Sequence, residues 1–183
     1  MQLIKKFRLN KTVTIFGSSK PFPGEEEYEN AYKLGKLLGD AGLNICSGGF
    51  QGIMDAVSKG AHDAGTKAIG VTVNLYNAKP SKYLSEEIVC ATLFNRLENL
   101  INKGDAYIIL PGGTGTLLEL SLVWEYFNKG ITTLKPFACV GEMWNKLSKI
   151  IDERMEFEKR QTELIKNFEK IEDCAEYIIS SLK

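Results

Sequence analysis

Residues Asp105–Glu119, DAYIILPGGTGTLLE, decide how the rest of the chain is read. Ala106–Leu110 is an unbroken apolar run, Pro111-Gly112-Gly113 is a turn, and a helical pattern starts at Thr114. A buried parallel strand that feeds a helix through a Gly-rich corner has this form. Gly112, Gly113 and Gly115 permit φ > 0 and leave no Cβ between the backbone and a ligand. The free N–H groups of a helix N-terminus, together with the helix dipole, make such a corner an anion site. Thr114 and Thr116 add hydroxyls suited to a phosphate. Glu119 lies four residues after Gly115 and projects from the same helical face, one turn inside the site. A carboxylate behind a phosphate cradle suggests chemistry as well as binding. The competing reading is a plain βα turn with Glu119 as a solvated helix residue.

Working outward, the helix that follows is apolar nearly all round, with Leu117, Leu118, Leu120, Leu122, Val123, Trp124 and Phe127. A helix without a polar face is buried in a core or a subunit interface, and a homodimer is the expected assembly. Upstream, Lys11–Phe16 reads as a strand that ends at the polar corner Gly17-Ser18-Ser19. Glu25–Glu27 suit the first turn of a helix carrying Tyr28, Ala31, Tyr32, Gly35 and Leu38, which Gly42 caps. Leu43–Cys46 is a strand opening into Ser47-Gly48-Gly49-Phe50-Gln51-Gly52, and a helix from Ile53 to Gly65 leads to a strand at Lys67–Val73. This is a βαβ unit with a phosphate-type loop, although its GGxxG spacing is not the dinucleotide fingerprint. No GxxxxGK[ST] occurs, which excludes a P-loop NTPase.

Asn74–Ser85 lacks periodicity and reads as a loop over the site. Ile88–Thr92 is a short strand and Leu93–Lys103 a helix carrying Arg96. By its position alone, Arg96 is a surface helix residue. Lys135–Val140 is a further strand, and residues 142–158 form a helix with Met143, Leu147, Ile150 and Ile151 inward. Residues 159–170 are charged and read as a loop or short helix, before a last helix near 172–182 that packs Cys174, Ala175, Ile178 and Leu182. Alternating strands and helices give a doubly wound Rossmann-like α/β fold, a parallel sheet with helices on both faces, as one domain over residues 1–183. Ligands of such sheets bind beyond the carboxyl ends of the strands, where the strand order reverses.

Composition narrows the function. The 183 residues carry 23 basic and 23 acidic side chains, which gives no electrostatic reason to expect DNA, RNA or an anionic membrane as partner. No apolar run reaches the roughly 18–20 residues of a membrane span, and MQLIKKFRLNK lacks the apolar core of a signal peptide, so a cytoplasmic location is expected. Cys46, Cys90, Cys139 and Cys174 stand singly, three of them in apolar strand-like runs, where Cys acts as a small hydrophobe rather than a zinc ligand or disulfide partner. The single histidine, His62, reads as a surface helix residue, against serine-hydrolase or His-metal chemistry.

LPGGTGTLLE resembles the PGGxGTxxE signature of the LOG family, the nucleoside 5′-monophosphate phosphoribohydrolases once called lysine decarboxylase-like. Phe16–Ser19 (FGSS) is similar to the family's first-strand corner, and Ser47–Gly65 to its GGGxxGLMGxVADAA segment. The family pairs its motif glutamate with an arginine from a segment of the form MxERK. Leu93–Leu97 corresponds to it here, with Arg96 placed 23 residues before Glu119. Leu97 replaces the family's lysine, Asn95 its glutamate, and Leu118 the first of two glutamates, so the chain looks like a divergent branch.

The resemblance implies cleavage of the N-glycosidic bond of a purine-type nucleoside 5′-monophosphate, with Arg96 and Glu119 as catalytic residues. Gly17, Ser18, Gly48, Gly49, Gly112, Gly113, Thr114, Gly115 and Thr116 are then the nucleotide-binding set. No metal or organic cofactor is required. The alternative is a non-catalytic carrier of a nucleotide or of the molybdenum cofactor. An amino-acid decarboxylase has little support, since nothing marks a Schiff-base lysine.

Overall fold

The structure, a computed structural model, describes residues 11–183. The strands are β1 (Thr12–Phe16), β2 (Asn44–Ser47), β3 (Ala68–Val73), β4 (Glu86–Cys90), β5 (Ala106–Ile109), β6 (Phe137–Val140) and β7 (Lys166–Phe168). The helices are α1 (Glu26–Asp40), α2 (Ile53–Asp63), α3 (Leu93–Lys103), α4 (Thr114–Asn128), α5 (Glu142–Phe157) and α6 (Ile171–Ser181). All six strand pairings are parallel, and the sheet order is β4-β3-β2-β1-β5-β6-β7. The order reverses between β1 and β5, so those two strands flank the crevice that a doubly wound sheet offers to ligands.

Strand residues alternate between the two faces, which divides the core in two. Val13, Ile15, Ile45, Ala106 and Ile108 pack under α1, α2 and α6. Phe16, Cys46, Tyr107, Ile109 and Phe137 pack under α3, α4 and α5. Thr14 is fully buried in mid-strand, and its hydroxyl is satisfied by donating to the Leu100 carbonyl at 3.0 Å. All four cysteines are buried and unpaired, and His62 is exposed on α2, as expected. The reading of the first ten residues lies outside the described part of the chain.

Two sequence expectations are corrected. The inward face of α5 is Trp144, Ser148 and Met155, whereas Met143, Ile150 and Ile151 are 51%, 62% and 38% exposed. Trp144 turns in because its indole N–H reaches the Leu110 carbonyl at 3.0 Å, which fixes the register of the helix on β5. The charged 159–170 stretch contains strand β7, which pairs with β6 at the sheet edge and is only half-buried. An edge strand of three residues lacks the apolar run that announces a central one.

Candidate functional site

Three chain corners meet at the carboxyl ends of β1, β2 and β5, and Ser18 ties them together. Its N–H donates to the Pro111 carbonyl at 2.9 Å, and its own carbonyl accepts from the Ile53 N–H at 2.8 Å. Gly52, at φ +72°, makes this possible: a Cβ there would stand 2.4 Å from the Ser18 oxygen. The corners enclose a cleft of about 430 Å³.

The lining divides chemically along the strand order. On the β1/β5 side it consists of Gly17, Ser18, Ser19, Lys20, Gly113, Thr114, Gly115 and Thr116. Thr114, Gly115 and Thr116 form the first turn of α4, whose N–H groups have no partner within the helix. These donors, the positive end of the α4 dipole and the Lys20 ammonium suit a phosphate. On the β2/β3 side the wall is Phe50, Met54, Tyr76 and Ala78, an apolar and aromatic surface.

The glycines work differently from expectation. None of Gly112, Gly113 and Gly115 has a positive φ; the positive-φ glycines of the three corners are Gly49 and Gly52, both in the corner after β2. Gly113 and Gly115 leave open space where a Cβ would stand, so they serve by exposing backbone to the cleft. Gly112 lies behind them, where a Cβ would meet Thr116 Oγ1 at 2.2 Å. Gly48 and Gly49 are not among the lining residues. The Gly48 carbonyl accepts from Arg96, and the Gly49 N–H is already donated to the Ser47 hydroxyl at 3.2 Å. Gly49 is required by the 2.9 Å approach of its Cβ position to the Gly70 backbone.

Arg96 and Glu119 meet in the cleft from α3 and α4, and neither is a surface residue: they are 6% and 9% exposed. Arg96 donates from Nε to the Val71 carbonyl at 2.8 Å and from Nη2 to the Gly48 carbonyl at 3.4 Å. Its guanidinium carbon also lies 5.9 Å from the centre of the Phe50 ring, a cation–π contact. Nη1 is 3.6 Å from Glu119 Oε1. Burial pushes the Glu119 carboxyl up to about 7, although the Arg96 charge pulls it down. A carboxyl with that pKa in a polar cleft exchanges protons near neutral pH, the condition for acid–base work.

Two of the departures from the LOG pattern have local structural roles. Leu97 is 3% exposed and packs in the core. Asn95 sits at the start of α3, where its N–H donates to the Thr92 hydroxyl at 3.1 Å and its side chain accepts from the same hydroxyl at 2.8 Å. Thr92 thereby caps the helix, and Asn95 takes the hydroxyl proton where a capping-box glutamate would take the backbone N–H.

The site residues named from the sequence leave out six lining residues and one buried carboxylate. Ser19, Phe50 and Met54 belong to segments read as corners or as part of a motif, Tyr76 and Ala78 to the loop read over the site, and Lys20 carried no signal. Asp55, 9% exposed, accepts from the Tyr28 hydroxyl and the Ser81 hydroxyl, each at 2.6 Å. An acidic residue in the first turn of a helix that otherwise faces the core was the available signal. Among the described residues, no group of three or more His, Cys, Asp and Glu is placed to hold a metal ion.

Comparison with known proteins identifies the family and the fold. The model of the SLOG cluster4 family matches residues 10–173. A cytokinin riboside 5′-monophosphate phosphoribohydrolase of Arabidopsis thaliana is 30% identical over 200 aligned positions, covering 99% of this chain and 92% of that protein. A second protein of that name, from Rhodococcoides fascians, is 30% identical over 66% of this chain but only 63% of its own length, so the chain spans less than two thirds of that relative. Among solved structures, the molybdenum cofactor binding protein of Rippkaea orientalis shares the fold with a TM-score of 0.76 at 22% identity, covering 95% of this chain and 98% of that one.

Proposed function

The chain belongs to the SLOG cluster4 family as a divergent member of the LOG family, and from that premise we propose that it hydrolyses the N-glycosidic bond of a purine-type nucleoside 5′-monophosphate. The observation that carries the reading is the buried Arg96–Glu119 pair at 3.6 Å, set in the same cleft as the free N-terminus of α4.

The 5′-phosphate sits on the first turn of α4, held by backbone N–H groups, the Thr114 and Thr116 hydroxyls and Lys20. Binding energy gathered there, away from the reacting bond, positions the ribose over Glu119. As the C1′–N bond stretches, positive charge develops on the ribose. Ionised Glu119 stabilises that charge and orients the attacking water, whose oxygen bonds to C1′ while a proton goes to the departing base. The products are free base and ribose 5-phosphate. Arg96 cannot serve as a base at neutral pH; fixed by two carbonyls, it keeps part of the Glu119 population ionised despite burial.

We further infer a homodimer in the cytoplasm. Leu117 and Leu118 on α4 are 38% and 44% exposed, an apolar stripe that a second copy would cover. No helix among the described residues is long and apolar enough to cross a membrane.

The test is product analysis with a panel of nucleoside 5′-monophosphates. Release of base and ribose 5-phosphate, lost in Glu119→Ala, is expected. No turnover of any nucleotide, with tight binding of a nucleotide or pterin by calorimetry, would favour a carrier, the reading prompted by the uncharged side chains of Leu97 and Leu118.

A further inference from the structure

The segment between β3 and β4 is anchored unevenly. Its second half is pinned to the β2 corner: the Ser81 N–H donates to the Gly49 carbonyl at 2.9 Å, and the Gln51 amide to the Lys79 carbonyl at 3.0 Å. The Ser81 hydroxyl donates to Asp55 at 2.6 Å and accepts from the Tyr83 N–H at 3.2 Å. Asp55 is itself held by the Tyr28 hydroxyl at 2.6 Å, so this latch joins α1, α2 and the segment in one buried network. The first half is exposed, yet it brings Tyr76 and Ala78 over the cleft.

There Tyr76 meets Phe50 edge-on, with ring centres 5.8 Å apart, and Phe50 is buried against the Arg96 guanidinium. Phe50 follows β2 and Tyr76 follows β3, so the sheet order sets this aromatic wall across β1 from the phosphate-binding turn that follows β5. A nucleoside monophosphate has the same polarity, an anion at one end and a planar aromatic ring at the other.

We propose that Tyr76 and Phe50 are the base-stacking wall of the cleft, and that Asp55, acting through Ser81, is the positioning residue that holds the wall in place. The assignment rests on the nucleotide reading and names the half of the ligand that this wall recognises. Tyr76 is 46% exposed and has room to turn its face to a ring, whereas buried Phe50 backs it. The rings of Phe50 and Tyr76 recognise flat aromatic area, so the preference that stacking on them confers is for purines over pyrimidines.

The experiment is calorimetric binding of adenosine 5′-monophosphate, cytidine 5′-monophosphate and ribose 5-phosphate, with turnover measured alongside. Tyr76→Ala is expected to weaken adenosine 5′-monophosphate roughly tenfold or more while leaving ribose 5-phosphate unchanged. Asp55→Ala should reproduce that selective loss, and Ser81→Ala reads the same latch should Asp55→Ala fail to fold. Asp55→Asn should restore affinity, because its amide pairs with both hydroxyls, each able to donate or accept. Equal weakening of nucleotide and ribose 5-phosphate in these variants, or no weakening of either, overturns the proposal and leaves the hydrolase reading intact. Selective loss in a protein that binds nucleotide without turning it over supports the wall and removes the hydrolase. Failure of the wild type to bind any nucleotide overturns both.

Discussion

Arg96 Nη1 stands 3.6 Å from Glu119 Oε1, with only 7% and 11% of the two side chains exposed. The separation is longer than a hydrogen bond, so the carboxylate feels the charge without being tied to it. The hydrogen bonds of Arg96 go instead to two backbone carbonyls. Glu119→Gln keeps the shape and removes the charge. Its kcat should fall about 10²–10³-fold with nucleotide affinity nearly unchanged, which single-turnover kinetics beside calorimetry will separate.

The Glu119 carboxyl, ordinarily near 4.5, is pushed up to about 7 by burial. Activity that needs the carboxylate should therefore fall on an acidic limb near pH 7, far above an ordinary glutamate's. Stability runs the other way. A folded chain that binds this proton more tightly than the unfolded one has the benefit in full below about pH 4.5 and loses it as the pH rises through about 7. Glu119→Gln should then raise Tm more at pH 8 than at pH 5, measured by thermal denaturation at both.

Arg96→Lys retains a cation but not the planar fork that reaches the Val71 and Gly48 carbonyls together. With the charge less firmly held, burial dominates Glu119 and its pKa moves higher. A shift of the acidic limb to higher pH, together with a stability loss on the order of 1–3 kcal/mol, is expected. An unmoved limb in the pH–rate profile would show that Arg96 does not act through Glu119.

Gly115→Ala tests exposed backbone as the binding element. Nothing lies within 4 Å of the added methyl, and alanine is the better helix former, so Tm should hold or rise. Phosphate-bearing ligands should nevertheless lose about tenfold or more in affinity as the methyl enters the cleft. Gly49→Ala makes the opposite case: at φ +77° and against the Gly70 backbone, it should cost on the order of 1–3 kcal/mol of stability.

Leu118→Glu places a charge in the exposed stripe of α4. Light scattering should give a dimer for the wild-type protein and a monomer for the variant, with the fold unchanged by circular dichroism.

Much of the architecture was legible because a parallel sheet writes itself as apolar runs separated by helical periods. Ala106–Ile109 and Leu93–Lys103 could be read almost to the residue. The face of α5 could not, because Met143, Ile150 and Ile151 are apolar residues on the outer side, and only the Trp144 hydrogen bond selects the inner one. The polar half of the site was visible as glycine punctuation. The 74–85 loop was legible as lying over the site, but that Tyr76 and Ala78 are the residues of it that line the cleft was not. The loop is pinned by Ser81 to the Gly49 carbonyl and to Asp55, and no local spacing records those bonds. Arg96 reads as a surface cation from its helix position alone, and its burial depends on carbonyls 25 and 48 residues away.

The knot at Ser18 also has a bearing on how the molecule comes into being. Strand β1 lies between β2 and β5, and its corner is closed by Pro111, so β1 waits for a partner almost a hundred residues later in the chain. Until β5 emerges during synthesis, one side of β1 offers an unpaired apolar edge. Parallel pairings at such separations form slowly. The same fastening that joins the corners of the finished cleft leaves the nascent half-sheet with one edge unpaired, the condition under which aggregation competes with folding.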